Sequence, residues 1–252
     1  MSDKSAIEWT DATWNPVTGC TKVSPGCDHC YAETFAERFR GVKGHPFQQG
    51  FDLRLWPERL ELPVRWKEPR FIFVNSMSDL FHKDIPDEYI EKVFDTMLRA
   101  TQHVFQVLTK RPARMLTWTQ QRFKSLPKHI WLGTTVESQP YVGRIRQLQM
   151  TPASIRFLSL EPLIAPIELN ASLLQGIHWV IVGGESGHGA RPMKAQWVYD
   201  TRHQCQENRV PFFFKQWGAH NLDGERVGKK VSGRILDGRT WDDRPENLVQ
   251  VP

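Results

Sequence analysis

The chain has 252 residues, of which 40% are hydrophobic and 24% are charged, and its formal net charge is +5. This length suits one large α/β domain or two small ones, and the composition is ordinary for a globular protein. No run approaches the roughly 18 apolar residues of a membrane helix, and the N-terminal segment lacks the apolar core of a secretory signal. We therefore expect a cytoplasmic protein without membrane partners, in which the cysteines are reduced.

Short apolar runs rich in β-forming residues alternate with helical patterns along the chain. The predicted strands are residues 13–18, 71–74, 103–108, 130–133, 155–160, 178–182 and 211–214. Between them, helices are predicted over residues 87–100, 141–150 and 194–209. Strands that are apolar on both faces and alternate with helices indicate a parallel sheet. The pattern favours an α/β fold built as a partial or full (β/α) barrel, and an open doubly wound sheet fits almost as well.

Two segments fall outside the regular alternation. Residues 1–218 are expected to form the barrel domain, with an insertion around residues 40–68 that is rich in Pro, Arg and Trp and not clearly periodic. Residues 219–252 carry two Asp-Gly turn signals, at 223–224 and 237–238, which are typical of hairpins. We expect this tail to form a small C-terminal β-hairpin appendage.

Three cysteines, Cys20, Cys27 and Cys30, lie within eleven residues of one another. Soft thiolates select zinc, Cu(I) or an iron–sulfur cluster, and a structural zinc site normally has four ligands in two paired knuckles. Here three ligands would leave one coordination position open, on a loop that follows the first predicted strand, where barrels carry their catalytic loops. An iron–sulfur cluster is favoured, with zinc or metal-free cysteines as alternatives. Cys205 is expected to be a buried thiol, with a distant fourth ligand as the alternative.

Several motifs in order along the chain resemble those of a known family. They are IEWTDATWNPVTGC at 7–20, PGCDHCYA at 25–32, NSMSDLF at 75–81, LTKRP at 108–112, GTTVES at 133–138, LSLEPL at 158–163, GGESG at 183–187 and KQWG at 215–218. Together they resemble a phage- and prophage-associated family of radical-SAM-like proteins, largely of unknown function. The six residues between Cys20 and Cys27 exceed the three that are commonest in the radical SAM superfamily.

The resemblance implies a barrel of the radical SAM type with a [4Fe–4S] cluster on Cys20, Cys27 and Cys30. It implies S-adenosylmethionine as the second cofactor, bound through its amino and carboxylate groups at the unique iron. One electron, from a donor of the flavodoxin or ferredoxin type, then yields a 5′-deoxyadenosyl radical that abstracts hydrogen from the substrate. The protein's contribution is placement of the reactants and exclusion of solvent.

Polar residues and glycines follow the predicted strands and, on a barrel, meet at one mouth. The expected cofactor-binding residues are Ser76, Ser78, Asp79, Thr109, Thr135, Glu137, Gly183 and Gly184. Asp79 or the serines would accept from the methionine ammonium, as the resemblance implies, and Glu137 would hold the ribose, with Thr135 or Ser138 as alternatives. The two glycines permit close approach of the adenine. Helix caps, turns and solvated surface residues are the structural alternatives.

Three charged residues after late strands are the expected catalytic residues, namely Glu161, Glu185 and Lys215. Lys110 is expected to pair with the methionine carboxylate or a substrate phosphate, and Trp217 to wall the pocket or stack on a base. The favoured substrate is a nucleic-acid base or nucleotide, because basic residues occur near the mouth and in the tail, at Arg226, Lys229, Lys230 and Arg234.

The ten tryptophans are expected mainly in the core, with a base-stacking surface as the alternative. The second function that the sequence admits is a non-catalytic module, in which a zinc or iron–sulfur knuckle braces a nucleic-acid-binding surface. The carboxylates at several strand ends argue against it, because they would repel a polyanion.

Overall fold

The computed structural model describes residues 5–245. Its main sheet has seven parallel strands, in the order β1 (Ala12–Trp14), β4 (Phe71–Val74), β5 (Val104–Thr109), β6 (Ile130–Thr135), β7 (Ile155–Leu160), β8 (Trp179–Gly183) and β9 (Phe212–Gln216). Two short strands, β2 (Val17–Thr18) and β3 (Arg54–Leu55), form a separate antiparallel pair. The main sheet curls into a half-barrel with β1 and β9 at its edges. The α/β fold and the partial barrel are therefore confirmed, and a closed barrel is not formed.

The described residues form eight α-helices. They are α1 (Tyr31–Glu37), α2 (Leu62–Arg65), α3 (Asp87–Arg99), α4 (Pro112–Arg122), α5 (Gly143–Gln149), α6 (Ala171–Leu174), α7 (Ala195–Glu207) and α8 (Lys229–Ser232). The predictions for 87–100 and 194–209 are confirmed to within two residues at each end, whereas the segment 141–150 begins as a 3-10 turn and continues as α5. None of the helices in the described part of the chain is long and apolar enough to cross a membrane.

Successive side chains of each strand point to opposite faces of the sheet, and the half-barrel therefore has two apolar cores. One core lies between the sheet and the helices, and the other fills the inside of the half-barrel with Trp9, Phe73, Val104, Trp131, Ile155, Phe157, Trp179, Ile181 and Phe213. Every tryptophan is buried or partly buried, which confirms their expected place in the core. Toward the carboxyl ends of the strands the inner positions become small or polar. In β7, for example, Phe157 is followed on the same face by Ser159.

The strand predicted over residues 13–18 is split into two. Pro16 lies between β1 and β2, and because proline has no N–H to donate, it interrupts a continuous ladder. Strand β2 leaves the main sheet and pairs with β3, which belongs to the segment interpreted as an insertion, with Val17 opposite Leu55. The Trp56 indole N–H donates to Thr18 Oγ1 at 2.8 Å and fastens this segment further. Residues 40–68 therefore carry regular structure that the sequence pattern did not indicate.

The tail does not form the expected hairpin within the described residues 219–245. Each turn is closed by a single bridge, His220 to Arg226 and Leu236 to Arg239, and α8 lies between them. The tail is also attached to the barrel, since the Trp217 indole donates to Ile235 O and the Trp179 indole to Asp243 O. Residues 246–252 of the predicted appendage lie outside the described residues.

Candidate functional site

A cavity of about 420 Å³ lies at the carboxyl ends of the strands, above the aromatic filling of the half-barrel. We call it the mouth cavity. Trp9, Phe73 and Leu108 contribute apolar surface to it. Of the predicted site residues, all line this cavity except Glu137 and Gly183. The structure thus brings the predicted residues together in one place, as the convergence of strand ends in a barrel requires. Their chemical roles stay predictions.

The cysteine loop, which we define as residues 19–30, forms one wall of the mouth cavity. Cys20, Cys27 and Cys30 all line it, and each thiol is partly exposed. Burial raises the pKa of the Cys20 and Cys30 thiols above the ordinary value. Cys205 is fully buried in α7, away from the cavity, and burial raises its pKa to about 12. The expectation that Cys205 is a buried thiol is confirmed.

The cysteine loop offers three soft thiol donors, the type of ligand that zinc and iron–sulfur clusters take. Among the described residues, no three His, Cys, Asp or Glu side chains converge into a site for one metal ion. A tetrahedral zinc ion would require its sulfur ligands about 4 Å apart. Three thiols on one wall, with a cavity beside them, are the ligand type that iron–sulfur clusters use, and such a cluster separates its ligands more widely than one ion does.

Asp79 is surrounded by donors from the end of β5. Its carboxylate accepts from the Thr109 hydroxyl at 2.7 Å, from the Arg111 guanidinium at 2.8 Å and from the N–H groups of Phe81 and Lys110 at 3.0 and 3.1 Å. A carboxylate that accepts this many hydrogen bonds is held firmly in place. Asp79 therefore positions Arg111, and its lone pairs are largely occupied before any ligand ammonium arrives.

Arg111 connects Asp79 to the cysteine loop. Its guanidinium lies 3.5 Å from the Cys20 sulfur and donates to the Thr21 carbonyl at 2.8 Å. Thr21 is also held by buried His82, whose Nε2 lies 2.8 Å from the threonine hydroxyl. Since His82 Nδ1 accepts from the N–H of Asp84, Nε2 is the donor in the neutral ring.

Two further arginine–carboxylate pairs hold the middle of the cysteine loop. Glu137 is fully buried, pairs with Arg144 at 2.7 Å and accepts from the Gly26 N–H at 3.4 Å. Glu185 accepts two side-chain hydrogen bonds from Arg191, at 2.6 and 2.9 Å, and Arg191 donates to the Pro25 carbonyl at 2.8 Å. With Asp79–Arg111, these form what we call the three anchoring pairs.

In the anchoring pairs, Glu137 and Glu185 contact arginines of the protein, whereas the sequence predicts that they contact a ligand. Glu137 lies beneath the cysteine loop and outside the cavity lining, whereas a ribose contact would require it in the cavity. Glu185 lines the cavity, yet both of its oxygens are engaged by Arg191. Sequence reasoning missed Arg144 and Arg191. The only signal is their spacing, seven and six residues after the carboxylates that they bind.

The two serines after β4 are engaged within the protein. Ser76 Oγ is hydrogen-bonded to the Asn15 side chain at 3.1 Å, and Ser78 Oγ donates to the Val17 carbonyl at 2.8 Å. The adjacent Asn75 has a left-handed backbone (φ 62°), is 2% exposed and lines the cavity, and neither atom of its amide has a hydrogen-bond partner in the described structure. Asn75 is thus a candidate ligand-binding residue that sequence reasoning missed, although it directly follows a predicted strand.

The glycines after β8 are required by packing. A Cβ on Gly183 would lie 2.7 Å from Glu161 Oε1, and one on Gly184 would lie 1.9 Å from the Trp217 carbonyl. Trp217 itself is 3% exposed, belongs to the core and does not line the cavity, so the expectation that it walls the pocket or stacks on a base is wrong. Close approach to adenine is not needed to explain either glycine.

Together, the fold and the site define an α/β half-barrel protein with a cysteine-lined cavity at the carboxyl ends of its strands. The chain belongs to the family described as protein of unknown function (DUF5131), whose model matches residues 4–245. This match is to a family without an assigned function and not to a radical SAM family, so the family membership expected from the motifs is wrong. No curated protein and no solved structure matches the chain significantly.

Proposed function

We propose that the mouth cavity is an active site in which Cys20, Cys27 and Cys30 hold a [4Fe–4S] cluster and S-adenosylmethionine binds beside it. The reaction would be a radical modification or repair of a nucleobase or nucleotide. The observation that carries the proposal is that three thiols of one loop line one cavity, with the loop fixed at three points by the anchoring pairs. The proposal rests on this site and not on family membership.

When bound, the cluster would supply one electron for cleavage of S-adenosylmethionine to a 5′-deoxyadenosyl radical. The chain's own residues would set the charge and geometry around it. The Arg111 guanidinium, 3.5 Å from the Cys20 sulfur, would stabilise thiolate charge and so favour the reduced state. Because Asp79 holds Arg111 in place, the two residues together would fix the position of this cation.

S-adenosylmethionine would be held by the polar groups of the cavity that the protein leaves unused. Lys110 lines the cavity and has no ion-pair partner in the described part of the chain, so its ammonium is available to the methionine carboxylate. The Asn75 amide offers an acceptor for the methionine ammonium and a donor for the carboxylate. We assign the methionine contacts to these two residues in preference to Ser76, Ser78 and Asp79, whose polar atoms are occupied.

The proposed reaction implies a partner and a compartment. An electron donor of the flavodoxin or ferredoxin type would deliver the electron, and the reducing cytoplasm would keep the three cysteines available as ligands. Thr135 lines the cavity near the end of β6 and is the candidate for the ribose hydroxyls, in place of Glu137.

The non-catalytic metal-knuckle module has less support. Three of the four tail cations that suggest a nucleic-acid surface are engaged within the protein. Lys229 pairs with Glu8 at 2.9 Å, Arg226 donates to the Gly187 carbonyl at 2.9 Å, and Arg234 pairs with Asp242. Lys230 is exposed, and reversing its charge would test the tail as a polyanion surface.

Anaerobic reconstitution with iron and sulfide tests the proposed ligand set. The wild-type protein is expected to take up about four iron atoms per chain, with absorbance near 400 nm. Cys20→Ala, Cys27→Ala and Cys30→Ala should each abolish this uptake, because three ligands are the minimum for the site. Cys205→Ala is the matched control and should retain the iron.

Two results would contradict the proposal. One is loss of iron in Cys205→Ala as complete as in the other three variants. The other is tight binding of one zinc ion with no uptake of iron, which would establish the metal-knuckle module instead.

A further inference from the structure

Glu161 differs from the other carboxylates that line the mouth cavity. Asp79 and Glu185 are each engaged by an arginine and by backbone N–H groups. Glu161 has no arginine partner in the described structure. Its Oε2 accepts from the Ser159 hydroxyl at 3.1 Å, and its Oε1 is paired only with the ammonium of Lys215. Because each carboxylate oxygen has two lone pairs, Glu161 retains the capacity to accept a hydrogen bond from a ligand.

Lys215 sits beside that carboxylate. Its Nζ lies 2.9 Å from Glu161 Oε1, and the side chains are only 18% and 14% exposed. Glu161 follows β7 and Lys215 is in β9, so the pair reaches across β8. It can do so because β8 has Gly183 at this level, where a Cβ would lie 2.7 Å from Glu161 Oε1. The fold thus places an acceptor and a cationic donor side by side at the cavity wall.

Gln216 adds a second acceptor to the same wall. Its Nε2 donates to the Gly184 carbonyl at 2.9 Å, which fixes the orientation of the amide. Gln216 lines the cavity and is only 5% exposed, and its Oε1 has no hydrogen-bond partner in the described structure. A buried acceptor without a partner costs free energy unless a ligand donates to it. The wall formed by Glu161, Lys215 and Gln216 is therefore complementary to a ligand with two donors and one acceptor.

We propose that this wall binds guanine, either as a free nucleoside or as a base displaced from a nucleic-acid strand. This inference rests on the proposed function, which makes the cavity a site for a nucleobase. The Watson–Crick edge of guanine carries two different N–H donors, the ring N1–H and the exocyclic 2-amino group, next to the O6 acceptor. The two donors match Glu161 Oε1 and Gln216 Oε1, and O6 matches the Lys215 ammonium.

The other bases satisfy this wall less completely. Adenine and cytosine present one exocyclic amino group and no ring N–H on that edge, and uracil and thymine present a single ring N–H. Each would leave either Glu161 or Gln216 without a hydrogen bond from the ligand. Sites built to receive a hydrogen bond reject an analogue that lacks the donor strongly. The apolar surface of Trp9 and Phe73 at the base of the cavity suits the flat face of a purine.

Calorimetric titration of the full chain, without added iron or S-adenosylmethionine, tests the inference. Guanosine is expected to bind at least about tenfold more tightly than inosine, which lacks only the 2-amino group, and than adenosine. Oligothymidylate with one central guanine, compared with the same strand carrying hypoxanthine, distinguishes a base in a strand from a free nucleoside. Preference for guanine in either pair supports the inference, and the pair in which it appears identifies the source.

Variants test the assignment to the wall. Glu161→Gln and Gln216→Leu should each weaken guanosine binding by at least about tenfold, and Gln216→Leu should also narrow the difference between guanosine and inosine. Gln206→Leu, on the exposed side of α7, is the matched control and should bind like wild type. A thermal unfolding transition shows that each variant is folded. If Glu161→Gln or Gln216→Leu does not fold, Lys215→Met is tested in its place, and the same loss of guanosine affinity is expected.

The inference fails if guanosine and inosine, free or within the strand, bind equally or not at all. That failure is separate from failure of the proposed function, because binding is measured without the cluster. A protein that binds guanine selectively yet takes up no iron would retain this inference and lose the cluster. A protein that takes up iron but shows no preference among bases would retain the cluster and lose this inference.

Discussion

At the scale of single residues, the two glycines after β8 have different tasks. Gly183 leaves room for Glu161 to reach Lys215. Gly184 lies so close to the backbone of residues 217–218 that no side chain fits there. The Trp217 carbonyl belongs to the backbone directly after β9, so a clash with it cannot be relieved by rotating a side chain.

Replacing Gly184 by Ala should lower the free energy of unfolding by roughly 2–3 kcal/mol, because the new Cβ would meet the Trp217 carbonyl at 1.9 Å. Urea denaturation gives the measurement. Gly143→Ala is the control: its Cβ would meet nothing within 4 Å and it begins α5, so stability should be unchanged or raised by less than about 1 kcal/mol. Equal stability of the two variants would show that the close approach at Gly184 is not as tight as described.

Residue types at strand ends were predictable, and their partners were not. Asp79, Glu161 and Glu185 were placed at the mouth because each follows an apolar strand, and all three line the cavity. Which carboxylate is neutralised by an arginine depends on contacts between residues distant in the chain, such as Arg191 with Pro25. The sequence pattern does not reveal such contacts, so it predicts ligand contacts for all three anchoring carboxylates, Asp79, Glu137 and Glu185.

At the scale of elements, the cysteine loop is a short irregular segment held by longer regular ones. Its own secondary structure is a single 3-10 turn, Pro25–Cys27, which provides little internal support. The carboxylates of the anchoring pairs follow three alternate strands of the sheet, β4, β6 and β8. The pairs therefore connect the loop to the rigid sheet at three points. A preformed loop reduces the entropy lost when ligands gather around a metal centre.

Arg191→Met should therefore loosen the cysteine loop. The variant removes charged hydrogen bonds to Glu185 and the Pro25 carbonyl, and we expect a loss of roughly 1.5–3 kcal/mol in unfolding free energy together with faster loss of bound iron to a chelator. Arg99→Met, which removes an exposed pair with Glu61, is the control and should cost less than about 1 kcal/mol. Iron release as slow as in wild type would argue that this pair does not support the loop.

The sequence predicts the strands correctly where their side chains are buried on both faces of the sheet. The six strands from β4 to β9 are apolar runs covered on both faces, and the sequence located all of them. The first predicted strand is interrupted at Pro16, after which β2 leaves the main sheet and pairs with β3. This pairing depends on a tertiary partner and not on local propensity. In the tail, both predicted turns form, but each is closed by a single bridge and no longer hairpin follows in the described residues.

At the scale of the whole molecule, buried His103 and half-buried His178, both outside the site, make stability depend on pH. Burial lowers the pKa of His103 and of His178 below the ordinary value near 6.5. His103 Nε2 lies 2.9 Å from the Pro63 carbonyl, and His178 Nδ1 accepts from the Arg156 N–H. Both rings are therefore neutral in the folded protein at pH 7.

The sign of this dependence follows from linkage. On acidification the unfolded chain takes up protons first, near pH 6.5, so folding stability is lost as the pH falls below that value toward the lower folded pKa. The urea concentration at the unfolding midpoint should decrease when the pH is lowered from 7.5 to 5.5. This decrease should be smaller in His103→Gln than in wild type. An identical decrease in both proteins would remove His103 from this account.

The central claim is that the mouth cavity performs radical chemistry with S-adenosylmethionine. The most direct measurement is the formation of 5′-deoxyadenosine from S-adenosylmethionine by the reconstituted protein, under anaerobic conditions with dithionite as the reductant. We predict that wild type and Cys205→Ala form 5′-deoxyadenosine, and that Cys27→Ala does not. Wild-type protein that contains a full complement of iron and forms no more 5′-deoxyadenosine than Cys27→Ala would contradict the account.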